Sequence, residues 1–255
     1  MKENHMKVRV SLVVFCLFGM ALFAFSQSAD ELVAQADEML LSLNNMDTAK
    51  DILAKYETAA ETMENNYDLN WKMSRILYHI GNYTADKKMQ QDIFSQAIVL
   101  AEKAIALEPG KPDGHFWLAV NNGKFGESKG VMKSLGLVKP IKESLNKVIE
   151  LDRSYEEGGA DRVLGRVFFK VPGIAGGDKD ESLKHLLKSI EYGPNDAVTL
   201  LYLGETYLAL NEIEKARETL DKVVNMVDDG LWINSIKQCQ EDAKVVLEHR
   251  KFRKE

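Results

Sequence analysis

The chain has 255 residues, of which 45% are hydrophobic and 28% charged, and its formal net charge at pH 7 is −6. This length and composition are enough for one sizeable hydrophobic core. The acidic balance disfavours nucleic acid and anionic lipid headgroups as partners. Apolar residues recur with a period near 3.6 and prolines number only five, which predicts an all-α chain.

The first 26 residues have the composition of a secretory signal peptide. Basic residues stand at the amino terminus, and the apolar run 10–25 follows them. Ala24 and Ser26 supply the small side chains expected at the −3 and −1 positions of a cut before Gln27. The alternative is an uncleaved anchor, although the run is shorter than the roughly 20 residues that span a bilayer. We therefore expect a protein secreted to the periplasm.

The cysteines carry two further expectations. Cys16 follows the bulky Phe15 where a lipobox needs Gly or Ala, and the apolar run continues beyond it, so we do not expect a lipoprotein. After cleavage Cys239 is the one remaining cysteine, which excludes an internal disulfide.

Beyond this segment, the apolar pattern repeats in helix pairs. The clearest pair spans 197–230, where the small residues Gly204 and Ala216 stand at the expected crossing of two helices, flanked by large apolar ones. This order resembles the tetratricopeptide repeat (TPR). One such pair cannot bury its apolar face alone, so several must stack.

The repeats define one domain, residues 27–255. We expect a TPR-like, right-handed helical solenoid of four to five pairs, closed by a C-terminal capping helix. The units and the cap are predicted at residues 30–63, 68–111, 112–155, 158–196, 197–230 and 231–252.

Two glycine-rich segments, 121–136 and 171–178, interrupt the helical pattern. Neither has Gly-Lys-Ser/Thr at the turn into a helix, which argues against a phosphate-binding loop. In the second segment the paired glycines allow positive φ, Asp178 is suited to cap the next helix, and Glu181 to complete a capping box. The alternative is that this loop folds over the concave groove and lines a ligand site.

The stretch 158–194 resembles the T-component family of TRAP transporters, which has divergent TPR units and a Pro-Gly-x-x-Gly-Gly-Asp-type loop between two helices. Residues 172–178 (PGIAGGD) carry that loop here. The resemblance implies a periplasmic accessory protein that associates with the solute-binding P-component of a TRAP system, which imports small organic acids or hydrophobic solutes. It also implies oligomerisation and a ligand-accessible pore, whereas the missing lipobox departs from the lipid-anchored members.

The concave face is where we expect ligand-binding residues. Arg162 and Arg166 stand four residues apart, so both side chains leave one helix face. Two guanidinium groups over an apolar wall suit a carboxylate with an apolar body, either an organic acid or the C-terminus of a partner peptide. Alternatively, Arg166 pairs with Asp161, Glu157 or Glu205 within the chain. For Phe116 the alternative is a position in the hydrophobic core. The full predicted set is Arg162, Arg166, Phe116, Val120, Lys124, Phe169, Lys170 and Leu201.

Catalytic and metal-binding patterns are not found in the sequence. The histidines are isolated, and no serine lies in a nucleophile elbow. We therefore expect a non-enzymatic protein without a cofactor. Two functions stay open: an accessory protein that binds a small apolar carboxylate and docks to a solute-binding protein, and a TPR scaffold for protein partners without a small ligand.

Overall fold

The computed structural model describes residues 28–63, 65–227 and 236–253, and for Val131 the backbone alone. Both the predicted signal peptide and the first residues of the predicted cap, 231–235, lie outside the described residues. No described helix is long and apolar enough to cross a membrane.

Helices make up the fold, and the described residues contain no β-strand. The prediction of an all-α chain is therefore confirmed. Short 3-10 helices at Val131–Leu137, Gly173–Ala175 and Arg250–Arg253 accompany the α-helices. In chain order the α-helices are α1 (Ala29–Leu40), α2 (Met46–Ala60), α3 (Tyr67–Tyr83), α4 (Lys87–Leu107), α5 (Pro112–Lys129), α6 (Val138–Asp152), α7 (Tyr155–Lys170), α8 (Lys179–Ile190), α9 (Ala197–Ala209), α10 (Ile213–Val224) and α11 (Ile236–Leu247).

The helices stack as a solenoid of five pairs, followed by α11. Each helix packs mainly against its neighbours along the chain. Helices α3, α5, α7 and α9 also contact one another in that order, which makes them one layer of the solenoid. The even-numbered helices form the other layer. Because neighbouring helices are antiparallel, the turns within the pairs lie along one edge and the turns between pairs along the opposite edge.

Polar side chains start most of the helices. The side chains of Ser28, Asn45, Asn66, Asp86 and Asp196 each accept a hydrogen bond from a backbone N–H in the first turn. These N-caps satisfy amide groups that have no partner within the helix.

The start of α8 differs in one respect from its prediction. Asp178 caps the helix as expected, since its carboxylate accepts from the amides of Asp180 and Glu181. The expected capping box with Glu181 is not formed. The Asp178 amide donates instead to the carbonyl of Phe168 at 3.0 Å, and the Glu181 carboxylate pairs with Lys184. The capping box requires the Asp178 amide as its donor, and in the closed 171–178 loop this amide is already bonded to Phe168.

Three hydrophobic clusters form the core along the solenoid. One joins α1 to α4 around Ile52 and Ile76, and the next joins α5 to α7 around Leu145 and Leu164. The third joins α9 to α11 and contains the buried Cys239. The core therefore extends along the stack as three clusters, each of which joins several successive helices, as in a repeat architecture.

Glycines on the odd-numbered helices let their neighbours approach closely. A Cβ at Gly204 would lie 2.6 Å from Cγ of Leu220, which is fully buried. The same substitution at Gly123, within α5, would meet nothing within 4 Å. The two positions differ in packing but both have helical backbones, so they form a matched pair.

We predict that Gly204→Ala destabilises the chain whereas Gly123→Ala does not. The new methyl group at residue 204 displaces Leu220 in a filled core, which costs about 1–3 kcal/mol. At residue 123 the change improves helix propensity by about 0.5–1 kcal/mol. Urea unfolding of residues 27–255 measures both, and equal stability of the two variants would contradict close packing at Gly204.

Candidate functional site

The inner face of the odd-numbered helices carries half-buried aromatic and charged side chains, and we call this surface the groove. Its members are spaced three or four residues apart on each helix, so each helix contributes one stripe. They are Trp71, Arg75 and Tyr78 on α3, Val120 and Lys124 on α5, Arg162, Arg166 and Phe169 on α7, and Tyr202 and Glu205 on α9.

Tyr202 lies at the middle of the groove. The guanidinium carbon of Arg166 is 4.1 Å from the centroid of the Tyr202 ring, within the range of a cation–π contact. Burial raises the pKa of Tyr202, and its phenol also interacts electrostatically with Tyr78 and Lys124. Side chains from four helices are therefore brought together at this point, although they are far apart in sequence.

Both arginines predicted to bind a carboxylate are already paired with carboxylates of the chain. Arg166 forms an ion pair with Glu205, one of the three alternative partners considered from the sequence. The Nη1 atom of Arg162 lies 3.3 Å from Oδ2 of Asp196, the N-cap residue of α9. These two pairs link α7 to α9, so an external carboxylate must compete with Glu205 or Asp196.

One end of the groove is basic. The Lys179 ammonium group lies 3.8 Å from the ring centroid of Phe169 and donates to the carbonyl of that residue. Burial lowers the pKa of Lys179, and the nearby positive charges of Lys170 and Arg166 lower it further. Lys179 was not among the predicted residues, because only closure of the 171–178 loop brings it there.

The other end of the groove contains an aromatic–arginine stack. The Arg75 guanidinium carbon lies 4.9 Å from the centroid of the Trp71 ring, whose Nε1 donates to Asp68 at 3.1 Å. Trp71 is thus a half-buried groove residue that also packs against the second core cluster. The periodic signal was present in the sequence, since Trp71, Arg75 and Tyr78 occupy successive turns of one helix face.

A left-handed turn at the start of α7 places Glu156 near this end. Glu156, Glu157 and Gly158 have φ of 51°, 55° and 74°, a conformation that is unfavourable for residues with a Cβ. The carbonyl of Glu156 accepts a 3.4 Å hydrogen bond from Arg162. Burial raises the pKa of the Glu156 carboxyl, and the positive charges of Arg75 and Arg162 partly offset this rise.

Two of the predicted residues lie in the core. Phe116 is 3% exposed, with its ring centroid 5.4 Å from that of Tyr155, and Leu201 is 6% exposed within the third core cluster. Phe116 lies near the start of α5, where α7 covers it, and on α9 the groove position is the next residue, Tyr202. Val120, Lys124, Arg162, Arg166 and Phe169 lie in the groove, and Lys170 is exposed at its basic end.

The opposite side of α7 is fixed by the buried carboxylate of Asp161. Arg153 donates to it through Nε at 2.7 Å and Nη2 at 3.1 Å, and Nδ1 of His185 lies 2.7 Å from it. Burial by itself would raise the pKa of Asp161, but the hydrogen bonds from His185 and Arg153 hold that pKa below its usual value. This network holds α7 against α8 and so orients Arg162 and Arg166. No cluster of three metal-binding side chains occurs in the part of the chain that the structure describes.

We predict that Asp161→Asn lowers the stability at pH 7 by about 3 kcal/mol, because it removes one partner of a buried charge pair. The pKa of Asp161 is lower in the fold than in the unfolded chain, where it is about 3.9. The contribution of this carboxylate is therefore present above that pH and is lost as the pH falls further. Urea unfolding at neutral and at acid pH measures it.

The matched control is Asp51→Asn, at an exposed position on α2, which we expect to change stability by less than about 0.5 kcal/mol. A difference between wild type and Asp161→Asn that persists unchanged at acid pH would contradict the role of the charge.

Comparisons with known proteins bear on this fold and groove. The family model for regulator of microtubule dynamics protein 1-3 matches residues 32–175, and a tetratricopeptide repeat model matches residues 185–218. The chain is 23% identical over 235 residues to regulator of microtubule dynamics protein 1 of Bos taurus, a match that covers 86% of this chain and 71% of that protein.

Solved TPR structures share the fold. The TPR protein TTC0263 of Thermus thermophilus superposes with a TM-score of 0.64 at 11% identity, over 86% of this chain and 100% of that one. MamA of Desulfovibrio magneticus RS-1, from its residue 41 to its end, gives 0.50 at 14% identity, over 78% and 94% of the two chains. The predicted TPR-like solenoid is confirmed, whereas membership of the T-component family stays a prediction. With more than half of its residues matched by the family model, the chain belongs to the regulator of microtubule dynamics protein 1-3 family.

Proposed function

We propose that this protein is a non-enzymatic scaffold whose groove binds a segment of a partner protein. The observation that carries the proposal is the junction of Tyr78, Lys124, Arg166 and Tyr202, which four inner helices bring to one accessible surface. Tyrosine, tryptophan and arginine supply most of the binding energy at protein interfaces. TPR-like folds are generally non-catalytic, which agrees with a binding role.

The ion pairs of the groove favour a partner segment that carries charge. In the pair of Arg166 and Glu205 the side chains are 21% and 22% exposed, and in that of Arg162 and Asp196 they are 15% and 20% exposed. A partner carboxylate can therefore reach either guanidinium group by exchange with the internal acid. Such exchange keeps the guanidinium group paired but releases the internal carboxylate. A partner segment that also places a basic group against Glu205 or Asp196 would therefore leave no half-buried charge without a partner.

Site-specific photocrosslinking tests the groove directly. We predict that a photoreactive phenylalanine analogue at Tyr78 or Tyr202 gives covalent adducts with a second protein in the producing cells. The same group at Val99 or Leu187, apolar residues exposed outside the groove, should give none. Arg166→Glu should reduce the adduct at Tyr78 by at least about tenfold, because it reverses a charge at the centre of the groove.

The control for charge is Lys103→Glu, at an exposed position on α4. Adducts of equal yield inside and outside the groove would contradict the proposal. The family description names microtubule dynamics, so assembled tubulin is the first purified partner to test against the same variants.

A second function is favoured by the basic end of the groove. Arg166 and Lys179 lie beside the ring of Phe169 and Lys170 is close to Lys179, and this combination suits a small carboxylate with an apolar body. Under this proposal the protein is a periplasmic accessory of a TRAP-type transporter that passes an organic acid to or from a solute-binding protein, after secretion through residues 1–26. The 158–194 segment, which resembles T-components, supports it.

Native mass spectrometry of residues 27–255 purified from the producing cells separates the two functions. For the second function we predict a small bound mass that is lost in the double variant Arg162→Ala/Arg166→Ala and retained in Lys103→Ala. Protein that carries no small mass but retains the groove adducts would exclude the small-ligand function and leave the scaffold in place.

A further inference from the structure

The turns within helix pairs lie side by side along one edge of the solenoid. The side-chain amide of Gln91, at the start of α4, reaches the carbonyl of Ser128 at the end of α5 at 3.4 Å. The Lys142 ammonium group donates to the carbonyl of Gly176 at 3.1 Å, which ties the start of α6 to the 171–178 loop. Three turns that are separate in the sequence therefore form one surface.

This surface is rich in lysine although the chain as a whole is acidic. Residues 128–142 contain four lysines and neither Asp nor Glu. We call the surface the basic edge, and its exposed lysines are Lys87, Lys88, Lys129, Lys133 and Lys139.

The acidic groups close to the basic edge have partners of their own. Asp86 caps α4 and Asp178 caps α8, Glu127 pairs with Lys124, and Glu181 pairs with Lys184. Lys139 is 85% exposed and lies 3.8 Å from the exposed Glu143, an arrangement of small energetic value. Among the described residues, Lys88 and Lys133 have no carboxylate within ion-pair distance.

Large apolar side chains project between these lysines. Ile174 is 96% exposed at the tip of its turn, Met132 is 68% exposed in the neighbouring turn, and Met89 is 57% exposed at the start of α4. Single exposed apolar residues are ordinary on protein surfaces. Three of them on one edge, flanked by lysines, form the combination that binds at a lipid headgroup boundary.

We propose that the basic edge docks onto the surface of an anionic lipid bilayer. The lysines face lipid phosphates, while Ile174, Met132 and Met89 enter the boundary between headgroups and acyl chains. An acidic protein would need an apolar pocket matched in position to Ile174, whereas a bilayer accepts apolar side chains of any shape along its surface. The inference is independent of the partner bound in the groove, because none of the groove residues belongs to the edge.

Vesicle sedimentation tests the proposal with residues 27–255, which contain every described helix and all three core clusters. The apolar run 10–25 is left out because it would bind lipid by itself. We expect sedimentation with vesicles of phosphatidylcholine mixed with phosphatidylglycerol, and much less with phosphatidylcholine alone. Each lysine near an anionic surface contributes about fivefold in partitioning. Lys133→Glu/Lys139→Glu should therefore weaken binding by at least about 25-fold.

The matched control is Lys103→Glu/Lys244→Glu, which makes the same charge change at exposed lysines away from the edge, and it should bind within about twofold of wild type. Ile174→Ser tests the apolar contact and should weaken binding without changing the net charge. All substituted residues are exposed, and circular dichroism verifies their folding.

Three outcomes would overturn the proposal. The first is no sedimentation with anionic vesicles, and the second is an equal loss in the two double variants. The third is vesicle binding that Ile174→Ser leaves unchanged, together with binding of soluble polyglutamate that is as tight as the binding of anionic vesicles. That result would assign the edge to an acidic protein. Crosslinking at Tyr78 should be the same in Lys133→Glu/Lys139→Glu and wild type, so failure here is distinguishable from failure of the groove proposal.

Discussion

Four glycines, one on each of α3, α5, α7 and α9, allow the close helix contacts on which the solenoid depends. A Cβ at Gly81, Gly165 or Gly204 would come within 2.3 to 2.6 Å of a side chain on the following helix, and one at Gly114 within 2.9 Å of Ile105 on the preceding helix. Protein interiors leave no space for such an atom. The spacing of these helices follows from the contacts, and a wider spacing would separate the side chains of Tyr78, Lys124, Arg166 and Tyr202 in the groove.

The fold was predictable from the sequence because it depends on local chemistry. The groove was harder to predict because it depends on the position of each residue around its helix. Gly204 and Ala216 mark a helix crossing because small residues are needed there, and Arg162 and Arg166 share a face because they are four residues apart. Leu201 was one residue away from the groove position, and at a 100° turn per residue that error moves a side chain from the groove into the core. The partners of the arginines lie in the next unit, so the relative placement of two units had to be known first.

Net charge says little about single surfaces for a related reason. It sums over the whole chain, whereas partners meet one surface at a time. The lysine-rich stretch 128–142 is visible in the sequence, but its position beside Ile174 and the start of α4 depends on all in-pair turns falling on the same edge. An α-solenoid of antiparallel helices sorts its turns onto two edges, and this sorting lets an acidic chain present a basic surface.

Ion pairs lie on both the buried side and the groove side of α7, but they have opposite roles. On the buried side, Asp161 is fully enclosed and receives three hydrogen bonds, so its replacement leaves charges without partners and the pair resists exchange. On the groove side, Arg166 and Glu205 keep about a fifth of their side chains exposed, so an incoming carboxylate can reach the guanidinium group and replace the internal one. The buried network around Asp161 therefore fixes α7 in place, whereas the pair of Arg166 and Glu205 on its groove side is open to exchange. A scaffold of this kind favours partners that pair every charge they disturb: a segment that displaces Glu205 from Arg166 must bring an acid for the arginine and a basic group for the released carboxylate.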